Sequence, residues 1–443
     1  MESTLLSGLE VIYKPLDALK PNPNNARTHS KRQIKMIAES IRVFGFTNPV
    51  LVDSNKRIIA GHGRVEAGKL LGMTQVPTIC LESLTEEQVR AYVIADNKLA
   101  ENAGWDRSIL AIELQHLLTL ECADFDVTIT GFEVAEVDEI LAEVNETTDA
   151  EPPIPEPVWD RPPIMEPGDL WFVGKHRILC GDSLKEDSYK TLMGRRKAAI
   201  VFSDPPYNVR IDGNVCGKGS VCHREFQMAS GEMSEPEFVS FLSTSLRWFA
   251  KYSVSESVHF LCMDWRHMKE MLAAGGGIYD SFVNLCVWVK GNGGMGSFYR
   301  SRHELIFVFR NGRGPHRNNI QLGKFGQNRT NVWEYPGMNT FSKQGEEGNL
   351  LSLHPTVKPV QMVADAILDC SARGDTVLDG FLGSGSTLMA AERVGRVCYG
   401  IEIEPVYLDV AIRRWQNFTG EAAVHGQTGK RFDEVTAQKE ERG

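Results

Sequence analysis

Four consecutive residues, Asp204-Pro205-Pro206-Tyr207, bring together groups suited to a planar ring with an exocyclic amino group. A carboxylate accepts from an N–H, and Pro205 and Pro206 stiffen the turn and lack an N–H, so their carbonyls can point outward as acceptors. The tyrosine supplies a flat face for stacking. The run before them, Ala198 to Phe202, is apolar throughout and reads as a buried parallel strand. That places the four residues at the carboxyl end of a strand, the edge where open α/β sheets bind ligands.

A second group lies far downstream. Thr376 to Asp379 reads as a strand that runs into Gly380-Phe381-Leu382-Gly383-Ser384-Gly385-Ser386-Thr387, followed by a helix over Leu388 to Arg393 and a strand from Val397 to Glu402. The glycines let the backbone approach a ligand closely, and an acid ending the next strand can bind ribose hydroxyls. Upstream, Trp171 to Val173 and Arg177 to Cys180 read as short strands ending at Gly181-Asp182, with a helix through Met193 beyond them. Taken alone, the glycine loop would suit any nucleotide-binding α/β domain.

The combination is narrower. Asp-Pro-Pro-Tyr, the glycine loop and Glu402 in one stretch resemble the S-adenosylmethionine-dependent DNA amino-methyltransferases, the adenine-N6 and cytosine-N4 enzymes. The order, with Asp-Pro-Pro-Tyr ahead of the glycine loop, matches the β class of that family. His354-Pro355-Thr356-Val357-Lys358-Pro359 resembles the element that precedes the loop in that class. The resemblance implies a Rossmann-like α/β methyltransferase sheet over about residues 168–420. It implies Asp204, Pro205, Pro206 and Tyr207 as the catalytic turn, with Asp379, Phe381, Gly383, Ser384 and Gly385 around the methionine and ribose of the cofactor. Glu402 would take the ribose hydroxyls, Asp182 the cofactor's adenine amino group, and Thr356 and Lys358 its methionine carboxylate. Asp182 can also be read as a helix N-cap, and Lys358 as a surface lysine. Gly380 departs from the family, which has proline there; the expectation is a looser turn with no ligand-binding group lost.

The chemistry implied is methyl transfer to an exocyclic nitrogen of a flipped base, with Asp204 and Pro205 as acceptors. Carbon-5 methylation of cytosine needs a nucleophilic cysteine, usually after a proline, and the chain contains no Pro-Cys pair. Family members whose tetrapeptide begins with Asp lean towards adenine N6, with cytosine N4 as the alternative. Two rival readings are a methyltransferase of RNA or protein glutamine and a ParB-like DNA-binding or partition protein with an inert methylase domain.

The 443 residues allow two or three domains, and the net charge of -10 conceals two opposed segments. Ser108 to Asp160 holds 14 acidic residues and no Lys or Arg, whereas Ser281 to Trp333 holds eight basic residues and one acid, Glu304. The basic insert, about 290–350, is the candidate target-recognition region, with Arg310, Arg313, Arg317, Lys324 and Arg329 for DNA and Phe325, Trp333 and Tyr335 interleaved. Core packing is the other reading of Trp333 and Tyr335. Cys216, Cys222 and His223 lack a fourth ligand at suitable spacing, so no metal is expected, and this Gly-rich loop reads as one that closes over the base. Nine scattered cysteines without a CxxC pair fit reduced thiols in a cytoplasmic protein. No run of 18 apolar residues and no secretory n- and h-region are present, so no membrane partner is expected.

The amino-terminal region reads as a small mixed α/β domain over 1–115. Pro21-Asn22-Pro23, Asn25-Ala26-Arg27, Ala60-Gly61-His62-Gly63-Arg64 and Ala95-Asp96-Asn97-Lys98 resemble the ParB/sulfiredoxin-like domain. The resemblance implies that Gly61, His62, Gly63 and Arg64 bind the phosphates of CTP or ATP, a role for which a glycine-flanked helix start is suited; DNA docking is the equal alternative. The cysteine of sulfiredoxins is missing beside His62, which argues against sulfinic acid reduction. Residues 116–167 read as an acidic helical segment and an extended Pro-rich linker, and 421–443 as a disordered tail. The partners expected are S-adenosylmethionine and double-stranded DNA; a homodimer and a cognate restriction endonuclease are further partners such an enzyme can have.

Overall fold

The computed structural model describes residues 9–119, 127–145, 154–209, 229–291, 299–320, 322, 329–336 and 357–440. Thr356, Lys324, Phe325, Cys216, Cys222 and His223 therefore lie outside the described residues. The chain divides into two compact units, Met1–Thr148 and Asp149–Gly443.

In the first unit, strands β1 (Val11–Pro15), β2 (Val50–Val52), β3 (Ile58–Ala60) and β4 (Gln75–Cys80) form a sheet in the order β1-β4-β2-β3. Leu16, Leu19, Val50, Val52, Ile58, Val65 and Val76 fill its core. Ser30 caps the helix Lys31–Phe44 by accepting from the Gln33 amide, and Thr85 and Gln88 form a capping box on the helix Glu86–Glu101. The helices Arg107–Thr119 and Val134–Asn145 share a separate small core of Ala111, Leu114, Val127, Val137, Ile140 and Leu141. A boundary at residue 115 would cut the first of these two helices, so the compact unit continues through the acidic segment.

The second unit is built on one ten-stranded sheet. In chain order its strands are β5 (Leu170–Val173), β6 (His176–Cys180), β7 (Ala198–Ser203), β8 (Ser253–Met263), β9 (Ser281–Val289), β10 (His303–Arg310), β11 (Val332–Glu334), β12 (Thr376–Asp379), β13 (Val397–Glu402) and β14 (Val424–His425). Their order in the sheet is β11-β9-β10-β8-β7-β12-β13-β6-β5-β14. β6, β13, β12, β7 and β8 are mutually parallel, so their carboxyl ends share one edge. Both faces of the central strands are covered, which is why β7 reads as an unbroken apolar run from Ala198 to Phe202. Ile200 and Phe202 of β7 enter a core with the helices Val360–Cys370, Ser386–Arg393 and Pro405–Thr419. Val201 enters the opposite core with the helices Glu186–Met193, Glu235–Tyr252 and Met268–Gly276. Each such fully buried Val, Ile or Phe contributes roughly 1.5–3 kcal/mol.

The Pro-rich linker runs against the second unit: Ile154 packs on Val410, Ile164 and Met165 join the core, and the amides of Ile164 and Met165 donate to the Asp409 carboxylate at 2.7 and 3.0 Å. One expectation is corrected here: the polar tail is structured through Glu440. β14 pairs with β5, and the helix Phe432–Glu440 buries Phe432 against Trp171. Lys439 Nζ then donates to the carbonyls of Pro163 and Ile164 and to Glu166. One buried aromatic and one lysine hold a helix whose composition is otherwise that of a solvated tail.

Candidate active site

β7 delivers Ser203, whose hydroxyl donates to Asp379 Oδ1 at 2.7 Å and accepts from the Gly380 amide at 3.3 Å. The turn beyond it carries Asp204, with 20% of its side chain exposed, a buried Pro205 and a half-buried Pro206. Asp204 Oδ1 accepts from the Tyr207 hydroxyl at 2.6 Å, and Asp204 Oδ2 lies 2.5 Å from Lys358 Nζ. Lys358 is also 3.1 Å from Glu304 Oε2, which itself lies 3.1 Å from the Tyr207 hydroxyl. Asp204, Tyr207, Glu304 and Lys358 thus close a ring of polar contacts, and Lys290 Nζ joins it by donating to Glu304 Oε1. The Lys358 ammonium stands 5.4 Å from the Tyr207 ring centre and 5.9 Å from that of Trp288, within cation–π range.

The charges in this ring balance. Burial opposes the charge on Glu304, yet Lys358 and Lys290 hold its carboxyl at about 2. Burial likewise opposes the charge on Lys358, but Asp204 and Glu304 raise it above an ordinary lysine, so it stays an ammonium. Asp204 is pushed up by burial, with Lys358 pulling against that and Glu304 adding to it. The pair gives opposed indications, and Lys358 decides it, because an ammonium facing two carboxylates has no reason to give up its proton. Burial drives the Tyr207 hydroxyl well up, so it remains a donor.

The glycine loop begins at the next strand. Both oxygens of Asp379 turn inward: Oδ1 accepts from Ser203 and the Phe381 amide, and Oδ2 from Thr387. Asp379 therefore fastens the loop instead of lining its open side, which corrects the role implied for it. Phe381 packs on Phe241 and Phe249, and Ser384 is 6% exposed. Gly383 has φ 52, a Cβ there would meet nothing within 4 Å, and its amide donates to Glu402 Oε2 at 2.8 Å. Glu402 Oε1 accepts the amides of Ile403 and Glu404, and burial outweighs these bonds to place its carboxyl at about 7. Gly385 precedes the helix Ser386–Arg393. Asp182 follows β6; its Oδ1 accepts from the Leu184 amide at 2.9 Å, while the N-cap position of the next helix falls to Lys185.

Gly380 is not a loosened turn. A Cβ at this position would lie 2.4 Å from Phe249 Cε1, so the aromatic ring occupies the space a larger residue would need. Its amide serves Ser203, a bond that proline could not make.

Lys358 is 4% exposed and bound in the catalytic ring, neither a surface lysine nor free to hold a carboxylate elsewhere. Arg329 is also committed internally, 2.7 Å from Asp369 and 3.5 Å from Asp365, with its guanidinium 5.1 Å from the Trp333 ring centre. It is withdrawn from the DNA-contact set. Trp333 is 5% exposed and lies in the core, while Tyr335 donates to Asp365 and its carbonyl accepts from Trp288. Arg313 and Arg317 are exposed, the former 3.3 Å from Asp280, and Arg310 is half-buried at the end of β10. In the first unit Arg64 Nη1 donates to the carbonyls of Asn48 and Pro49, and His62 Nε2 accepts from the Asn22 amide. Gly61 and Gly63 stand beside them at the start of the helix His62–Leu70.

Residues without an assigned role from the sequence also enter the site. Glu304 is the sole acid in the basic segment, and that isolation was its one signal. Lys290 and Ser203 gave none. Asn208, with φ 52, accepts at Oδ1 from the amides of Gly231 and Met233 and donates to the Met233 carbonyl, drawing both ends of the following segment together. Among the described residues, no group of three or more His, Cys, Asp or Glu is placed to hold a metal ion.

A parallel sheet that gathers a carboxylate turn, a glycine loop and a buried acid on one edge is the layout of a Rossmann-like methyltransferase. Residues 198–413 match the N6/N4 methyltransferase model described as DNA methylase, residues 2–97 the ParB N-terminal domain, and residues 108–167 the ParB-methyltransferase HTH domain. The chain is 54% identical over 80 residues to the ParB-like nuclease domain-containing protein YnaK of Escherichia coli (strain K12), covering 18% of this chain and 92% of that one. It is 26% identical over 237 residues to the type II methyltransferase M2.MboI of Moraxella bovis, covering 50% and 81%. Among solved structures, the cytosine-N4-specific PvuII DNA methyltransferase aligns with TM-score 0.41 and 14% identity, over 63% of this chain and 94% of that one. The chain thus carries an N6/N4 DNA methylase domain, with a ParB N-terminal domain and a ParB-methyltransferase HTH domain ahead of it.

Proposed function

We propose that this chain is a site-specific DNA methyltransferase that moves a methyl group from S-adenosylmethionine to the exocyclic amino group of a flipped base, adenine N6 in the first place. The observation that carries the reading is the junction at Ser203–Asp379, which sets the amine-accepting turn beside the glycine loop. The loop fits a nucleoside-type donor: Gly383 leaves open space where a side chain would stand, and Glu402 lies directly behind its amide. Gly383, Ser384, Gly385, Phe381, Glu402 and Asp182 would hold the donor. Once bound, it supplies a methyl group already activated on a sulfonium.

The residues of the chain do the rest. Asp204 and the Pro205 carbonyl accept the two amino hydrogens and draw the nitrogen towards sp3 geometry, which frees its lone pair. The nitrogen–methyl bond forms as the sulfur–methyl bond breaks, and the nitrogen then sheds a proton. Asp204, made more basic by burial, is placed to receive it. One face of Tyr207 carries the Lys358 ammonium, so a stacked base would take the other. The Asp that opens the tetrapeptide favours adenine N6 over cytosine N4.

Arg310, Arg313 and Arg317, with Lys324, remain the proposed phosphate and base contacts. The HTH-matching segment, residues 108–167, holds 15 acidic residues and a single basic one, Arg161, so its net charge opposes phosphate attraction. For the first unit, phosphate binding by CTP or ATP requires Arg64 to leave the Asn48 and Pro49 carbonyls; titrating either nucleotide into the full chain tests this. The reading is of a cytoplasmic enzyme, and among the described residues no helix is long and apolar enough to cross a membrane. Sequencing modified bases in DNA from a host that expresses the chain gives base and site together. Loss of the mark in Asp204→Ala, with donor binding retained, is expected; a mark that persists would overturn the mechanism.

A further inference from the structure

Deepening that reading, and resting on it, we propose that Glu304 is a positioning residue that shares Lys358 with Asp204 and so keeps an Asp204 oxygen open to the target amino group. A carboxylate has about four lone-pair sites. On Asp204, Tyr207 takes a site on Oδ1 and Lys358 a site on Oδ2. Glu304 Oε2 lies 3.1 Å from both of these donors, so neither is drawn to Asp204 alone. Lys290, on the other oxygen of Glu304, completes a set of two carboxylates and two ammoniums. These four side chains therefore balance as a set before any ligand enters; Asp379 stands outside the set, raised to about 6 by burial and bonded to Ser203, Thr387 and the Phe381 amide.

Neutrality bears on rate. In the transition state, positive charge develops on the amino nitrogen, and a group that removes negative charge from the pocket raises the energy of that state. Without Glu304, the two ammoniums would be balanced by the Asp204 carboxylate alone, and Lys358 and Tyr207 would both donate to Asp204 only. Every charged or titratable group that faces Asp204 is accounted for: Lys358 before the helix Val360–Cys370, Glu304 on β10 with Lys290 behind it, Tyr207 on the same turn, Cys262 on β8 and Asp379 on β12. Burial keeps Cys262 and Tyr207 neutral. Glu304 is thus the carboxylate that links the two lysines: Lys358 lies on both acids, and Lys290 on Glu304.

The test uses the full-length chain, duplex DNA and saturating S-adenosylmethionine, read as single-turnover methyl transfer. Glu304→Gln is expected to slow transfer on the order of 10–100-fold. Lys290→Gln combined with Glu304→Gln restores neutrality and is expected to recover about tenfold of that loss. A double variant no faster than Glu304→Gln, or a Glu304→Gln as fast as the parent, would overturn the proposal. If Glu304→Gln does not fold, Lys290→Gln carries the test: the uncompensated negative charge disfavours ionised Asp204, so the acid limb of the rate profile moves to higher pH. An unmoved limb overturns it. A parent chain that methylates no DNA would instead sink the functional reading itself, so the two failures are distinct.

Discussion

The Ser203 hydroxyl donates to Asp379 Oδ1 at 2.7 Å, tying the carboxyl ends of two adjacent parallel strands. Ser203 sits one residue before Asp204, and Asp379 one before the glycine loop. The Asp204 turn and the glycine loop are fixed to each other through this hydroxyl, which also accepts from the Gly380 amide. Ser203→Ala removes a donor from Asp379 and an acceptor from the Gly380 amide, all buried, and should cost about 1–3 kcal/mol. Urea unfolding of the variant measures it, and an unchanged midpoint would show that the tie is dispensable.

Gly380 should resist substitution for a reason of space. Gly380→Ala puts a methyl group 2.4 Å from Phe249 and should lose about 1–3 kcal/mol by overpacking. Pairing it with Phe249→Leu should return part of the loss. Gly380→Pro should do worse than Gly380→Ala, since it also deletes the amide that serves Ser203.

Donor binding should depend on pH through Glu402. Its carboxyl, raised by burial, sits at about 7, above the usual 4.5. The ionised form, the one proposed to accept from ribose hydroxyls, is therefore complete only above that value. Affinity for S-adenosylmethionine should rise between about pH 6 and about pH 8, and Glu402→Gln should flatten the rise. Calorimetry of parent and variant across that range decides it.

Stability should fall in acid through a second carboxylate. The Cys398 amide donates to His176 Nδ1, so Nε2 carries the proton and donates to Glu392 at 2.5 Å. Burial would raise Glu392, but His176, Trp415 and Lys175 hold it at about 2 against an ordinary 4.5. Its contribution, roughly 3 kcal/mol, is complete above pH 4.5 and lost as the pH falls towards 2. His176 acts in the same sense, because burial lowers it and acid must charge it on unfolding. Glu392→Gln should show a smaller drop in urea midpoint between neutral and acid pH than the parent.

The strap before β5 should open if its anchor is removed. Asp409→Ala leaves the buried amides of Ile164 and Met165 unpaired. Limited proteolysis should then cut between residues 154 and 167 faster than in the parent; equal rates would mean that Lys439 and the packing of Ile154, Ile164 and Met165 suffice to retain the strap.

Much of this was legible in the sequence because it is local. Strand β7 is a continuous apolar run up to Ser203, and β12 and β13 end on Asp379 and Glu402, so the strand ends announce the polar groups of the site. What escaped depends on direction and distance. Lys358 has the expected position, but only the fold turns its side chain to Asp204, and Glu304 reaches Tyr207 across 97 residues. Arg329 looked like a DNA contact because composition reports charge and not the Asp365–Asp369 pair waiting for it. Phe432 and Lys439 show how few contacts order a polar segment, too few to alter its average character.

Asn208 clamps the Asp204–Tyr207 turn from its far side. It accepts from the Gly231 and Met233 amides and donates to the Met233 carbonyl, just ahead of the helix Glu235–Tyr252. Ser203 holds the near side through Asp379. Asp204 and Tyr207 therefore sit on a span with a pier at each end, and tilting one of them means shifting the sheet or the helix that carries a pier.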